Sequence, residues 1–232
     1  MSAAIILSII SSYTCGILMI LAGRENLKKF KNTASSEKFL GYGVVALGLL
    51  LGPIMGTRNI LGIQGYPDAD FTLFLLEQPF YILGFASIGI FLFYKIFKKE
   101  YGRAIQVFWW GIGFILFLNI VFAWFFNSYE GPYISKWGTN YQITGVFETT
   151  FLIISGLIFL ILIISNLAFL AQKIHKKEKG KPIDYDFYAG LAVLSFLAIF
   201  VFEGSTNTTT WKLTFSRISF NAIGAALYLL YS

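Results

Sequence analysis

Histidine and cysteine are almost missing from this chain: one of each stands among 232 residues. A lone histidine, His175, cannot supply the two axial imidazoles of a bis-histidine haem, nor a three-histidine zinc site. It lies in a basic stretch between apolar ones, so a histidine-based triad inside those stretches is excluded as well. The lone cysteine, Cys15, forbids an internal disulfide and reads as a small packing residue. Charge is scarce too. Asp, Glu, Lys and Arg make up 13% of the chain, against about 25% in a soluble domain. This inventory assigns no catalytic residue, no metal ligand and no cofactor. Any redox centre would belong to another subunit.

What the chain has in quantity is apolar sequence. Hydrophobic residues reach 56%, against about 45–50% in soluble proteins, and they fall into seven stretches: 3–22, 39–62, 71–94, 105–126, 147–171, 187–204 and 211–231. A spanning helix needs about 20 mostly apolar residues, which the sixth stretch barely reaches. The connections are too short for a second domain. The expectation is one all-α integral membrane domain over 1–232, a bundle of seven transmembrane helices. The first stretch lacks a basic n-region and is followed by Arg24, Lys28, Lys29 and Lys31, so it reads as a retained helix rather than a signal peptide.

Basic residues set the expected orientation. Fourteen of the 18 Lys and Arg fall in the first, third and fifth gaps, and the rest are Arg58, Lys136, Lys212 and Arg217. The positive-inside rule makes those three gaps cytoplasmic. The chain then runs with its N-terminus outside and its C-terminus in the cytoplasm, as a multi-pass protein of the plasma membrane. The net charge of +6 reads as loops facing anionic headgroups, worth about 1 kcal/mol per basic residue. Membrane lipids are the expected partners, and nucleic acid is not. The layout is similar to that of the microbial rhodopsins in topology alone. The only lysine of the last stretch, Lys212, stands at its outer end, where no mid-helix Schiff base can form.

Several motifs shape individual stretches. Gly48, Gly52 and Gly56 recur every four residues and so share one helix face, which permits close approach of a neighbouring backbone. That neighbour is expected within the chain, with a protein partner as the alternative; the basic cytoplasmic loops are the other candidate partner surface. Pro53 and Pro79 should each kink a helix or free a carbonyl, and Gln78 or a water is expected to meet the carbonyl freed by Pro79. Trp109 and Trp110 at one interface, and Trp124, Trp137 and Trp211 at the other, read as aromatic belts. The outer connection, 127–146, forms either a hairpin or an irregular segment on the headgroups, and is long enough to cap the bundle. No repeat relates the first three stretches to the last three.

Ionisable groups inside apolar stretches are costly and therefore informative. Glu77 lies about 9 Å deep from the outer side at 1.5 Å per residue, and Arg217 lies at a similar depth. Arg58, Glu148, Glu203 and Lys212 stand nearer that surface, and Asn119 is a polar group somewhat deeper. The six charges balance at one level, and the inner half holds no comparable group. Pairing of Glu77 with Arg217 or Arg58 is expected. Two roles fit: a lock between helices, or an outward-facing polar pocket lined by Glu77, Arg217, Arg58, Asn119, Glu148, Glu203 and Lys212 that binds a small ligand or ion. At the level of the whole protein, the leading expectation is a receptor-like or carrier-like ligand binder. A non-catalytic subunit of a larger complex is the alternative. An enzyme acting on a lipid or isoprenoid through Glu77 is the third and least favoured, because nearby arginines would lower the pKa that such a catalyst needs raised.

Overall fold

The computed structural model describes residues 3–31, 36–97, 99–135, 138–178, 185–204 and 210–232, with side chains over 6–31, 36–97, 100–132, 141–175, 186–199, 216 and 218–232. The architecture is helical, with one short hairpin. In chain order it runs α1 (Ala3–Lys29), α2 (Glu37–Leu49), a π turn (Leu50–Ile54), α3 (Met55–Gln64), α4 (Pro67–Ile96), α5 (Gly102–Phe125), β1 (Tyr129–Ser135), β2 (Gly138–Ile143), α6 (Gly145–Glu178), α7 (Tyr185–Gly204) and α8 (Thr210–Tyr231). Since α2, the π turn and α3 form one continuous rod, the described residues hold seven helices. Five of them are long and apolar enough to cross a membrane: Ile6–Lys29, Glu37–Gln64, Pro67–Ile96, Gly102–Phe125 and Gly145–His175. The described parts of the last two, Asp186–Ile199 and Ile218–Tyr231, are shorter apolar helices.

The helices outrun their apolar stretches. α1 continues through Arg24, Lys28 and Lys29, and α6 continues to Glu178. Lys and Arg are good helix formers, so the helix persists where the hydrophobic pattern stops. Pro53 lies inside the π turn of the second rod. A proline cannot give its N–H to the carbonyl four residues back, and the backbone accommodates the gap with one π turn.

Neighbour contacts close a ring: α1 packs on α2 and α8, α2 on α4, α4 on α6, α6 on α7, and α7 on α8. The remaining helix, α5, seats against α4 and α6. The glycine face of the second rod is filled by α1 of the same chain. A Cβ built on Gly16 would lie 2.3 Å from Gly52 Cα and 2.6 Å from Gly48 O, and one on Gly56 would meet the Tyr13 ring at 2.7 Å. Trp109 departs from the belt expectation. It is 1% exposed and lies flat against Gly89 of α4, where a Cβ would sit 2.3 Å from its ring. Trp110, next in sequence, is exposed.

The 127–146 connection is a hairpin. Tyr129 pairs with Ile143 and Glu130 with Gln142; the register then shifts across Gly131 and Pro132 before Tyr133 meets Asn140. β2 lies over the ends of α3, α4 and α6, so this element caps one end of the bundle. We call that the hairpin end and the other, where the basic connections lie, the basic end.

Candidate functional site

The turn between α3 and α4 creates the centre of the hairpin end. α3 stops at Gly65, whose φ of 80° is the left-handed conformation that favours glycine at a helix C-terminus. α4 starts with Pro67 at its first position and carries Asp68 and Asp70 in its first turn, where the helix dipole favours negative charge. The two helices therefore run back along each other, with Arg58 facing α4. Asp70 and Glu77 are seven residues apart, two turns on one face, and Arg58 spans them. Its Nε donates to Asp70 Oδ1 at 3.0 Å and its Nη1 to Glu77 Oε2 at 2.7 Å. All three side chains are at most 5% exposed. The guanidinium lies 5.0 Å from the Phe74 ring centroid and 5.7 Å from that of Tyr141, a cation–π setting.

Tyr141 ties the hairpin onto this cluster. Its hydroxyl donates to Pro67 O at 3.0 Å and interacts with Asp70. Burial first, and the Asp70 charge next, push its phenol up to about 12. Burial alone pushes the Tyr129 phenol of the same hairpin up to about 12.

Glu77 also lines a half-open cavity of about 490 Å³ between α4, α5 and α6, roofed by β2, whose lining does not include Arg58. Its walls are mostly aromatic and aliphatic: Phe74, Tyr81, Phe85, Trp109, Phe151 and Phe159 are among them. The charged residues lining it are Glu77 and Glu148; no lysine or arginine among the described residues does. Glu77 Oε1 accepts only a long 3.4 Å bond from Gln78 Nε2. Gln78 also donates to Phe74 O at 3.2 Å, one residue away from Leu75, whose carbonyl loses its helix partner at Pro79.

The candidate residues fall into three groups. Glu77 and Arg58 pair. Glu148 is exposed on the cavity rim, without a part in that cluster. Asn119 is buried away from both: its Nδ2 donates to Phe147 O at 3.2 Å, and its Oδ1 has no partner among the described residues. The side chains of Arg217, Glu203 and Lys212 lie outside the described residues. Asp70 is an addition. It stands one residue before the apolar stretch beginning at 71, and its heptad spacing from Glu77 is the signal that marks it.

A second ion cluster lies at the basic end, just outside the apolar stretches. Lys95 of α4 pairs with Glu37 of α2 and, at 2.9 Å, with Asp186 of α7; Lys173 of α6 reaches the same Asp186 oxygen at 3.0 Å. Burial disfavours the charged Asp186, yet its bonds to Lys95 and Lys173 prevail and hold its carboxyl below the ordinary value. The lysines lie over Phe91 and Phe169 at 5.6 and 5.4 Å. Taken one at a time these residues read as loop charges; the fold gathers them from four helices.

Comparison with the models of known families, with curated proteins and with solved structures finds no match.

Proposed function

We propose that this chain is a seven-span protein of the plasma membrane, N-terminus outside and C-terminus cytoplasmic, that binds a small organic cation beneath its hairpin. The carrying observation is the cavity between α4, α5 and α6, which exposes two carboxylates and, among the described residues, no lining cation within aromatic walls. Its volume falls within the range of about 300–1,000 Å³ usual for small-molecule sites. Arg58 does not cancel this charge, because it serves Asp70 and Glu77 together. A cation entering the cavity completes the balance and gains the faces of the aromatic rings, worth about 2 kcal/mol or more once desolvated. The positive-inside distribution of lysine and arginine supports the orientation. It puts the hairpin and the cavity roof outside, as a receptor or carrier for an external ligand requires.

The test is charge discrimination at a matched tail. Hexyltrimethylammonium is titrated into protein in an uncharged detergent, beside hexanesulfonate, and binding is read by calorimetry and by thermal stabilisation. The ammonium should bind saturably and the sulfonate should not. Glu148→Gln, on the rim and outside the Arg58 cluster, should weaken the ammonium by about tenfold, near 1.4 kcal/mol, with the unfolding temperature unchanged. Equal binding of both probes would remove the reading.

A further inference from the structure

We infer that the cavity is a slot for a cationic amphiphile with an extended hydrocarbon tail, its head under the hairpin and that tail running towards Trp109. This rests on the cation reading and adds the shape of the ligand. The first observation is length. On α4 the lining runs from Phe74 to Ala86, twelve residues and about 18 Å of helix. On α5 and α6 it runs from Ile120 to Trp109 and from Glu148 to Phe159, about 16 Å each. A cavity of about 490 Å³ whose lining extends over about 18 Å of helix is elongated, which suits an extended hydrocarbon chain.

The second observation is the gradient of polarity along the slot. Glu77, Gln78, Gln142 and Glu148 all lie at the hairpin end of the lining. Below them the walls are mostly apolar; the polar groups are the Tyr81 hydroxyl, the Trp109 indole N–H and Ser155, whose hydroxyl is already bonded to Phe151 O at 2.6 Å. A compact cation without a tail would leave most of the slot unfilled. A cation with a tail matches both ends at once, because an ammonium head meets the carboxylates while each methylene leaves water. Trp109 marks the closed end, pinned against Gly89 and buried.

The test varies the tail at a constant head. Alkyltrimethylammonium ions from butyl to hexadecyl are titrated into the full chain in an uncharged detergent, with affinity referred to the free aqueous concentration. Affinity should rise by up to about fourfold per methylene and stop rising once the tail exceeds the slot. In parallel, 12-bromododecyltrimethylammonium should quench a saturable part of the tryptophan fluorescence that Trp109→Phe abolishes, and 4-bromobutyltrimethylammonium should not. Ala86→Phe, which fills the closed end, should remove the long-chain gain while leaving hexyltrimethylammonium bound. Should that variant fail to fold, the bromine quenching decides alone. Affinity independent of tail length, or a bromine tail that leaves Trp109 bright, overturns the slot while the cation reading stands. Loss of the ammonium-over-sulfonate preference overturns both.

Discussion

Arg58 is the residue on which the hairpin end depends. It is one buried guanidinium holding two buried carboxylates, on a helix whose partner it faces across a tight turn. Removing it leaves Asp70 and Glu77 buried without their counter-charge, a loss of about 3–5 kcal/mol when one partner of a buried pair is deleted. Arg58→Met should therefore lower the thermal unfolding temperature sharply, and adding Asp70→Asn should restore part of it. An Arg58→Met protein as stable as the wild type would show that the cluster is not a lock. Tyr141 adds a pH dependence. Its phenol moves from 10.0 to about 12 in the folded chain, so the fold favours the protonated form. The stability this gives is complete below pH 10 and is lost as the pH rises towards 12. Alkaline titration followed by tyrosinate absorbance and by unfolding should show that loss in the wild type and less of it in Tyr141→Phe.

Among the elements, the second rod and α1 depend on each other. Gly16 and Gly52 approach so closely that neither position has room for a Cβ. Overpacking of this kind costs about 1–3 kcal/mol, and here the obstacle is backbone, which cannot rotate away. Gly52→Val should lower the stability by that margin, read as a fall in the unfolding temperature. Gly65→Ala at the α3–α4 turn, where no side chain crowds the site but φ is 80°, should act through backbone strain alone. A stable, unaltered Gly52→Val would mean that the two helices separate freely. The hairpin is an element of another kind: two short strands are marginal alone, and this pair is held in place by Tyr141 against α4 and Arg58.

For the molecule as a whole, charge is arranged at two ends. The hairpin end holds the buried Arg58 cluster and the acidic cavity; the basic end holds Glu37, Lys95, Lys173 and Asp186, which bind four helices together. The proposed orientation is checked with single cysteines in a Cys15→Ser background. Glu130→Cys on the hairpin should react with a membrane-impermeant maleimide on intact cells, and Arg103→Cys in the third connection only after permeabilisation. The reverse pattern would invert the protein and place the cavity roof inside.

The sequence by itself determined the helical class, the number of apolar segments and the gathering of basic residues into every second connection. These follow from composition and order along the chain, and no contact between segments enters them. The sequence narrowed the partner of Glu77 to Arg217 or Arg58, and the structure pairs it with Arg58. Only the tertiary structure decided the rest. Asp70 joins them because α4 begins before its apolar stretch does. Trp109 leaves the surface because Gly89 faces it. The second ion cluster exists because four helix ends converge, and the cavity because α5 seats over the seam of α4 and α6. Rotation and neighbour order decide those contacts, and a linear pattern of apolar residues carries neither.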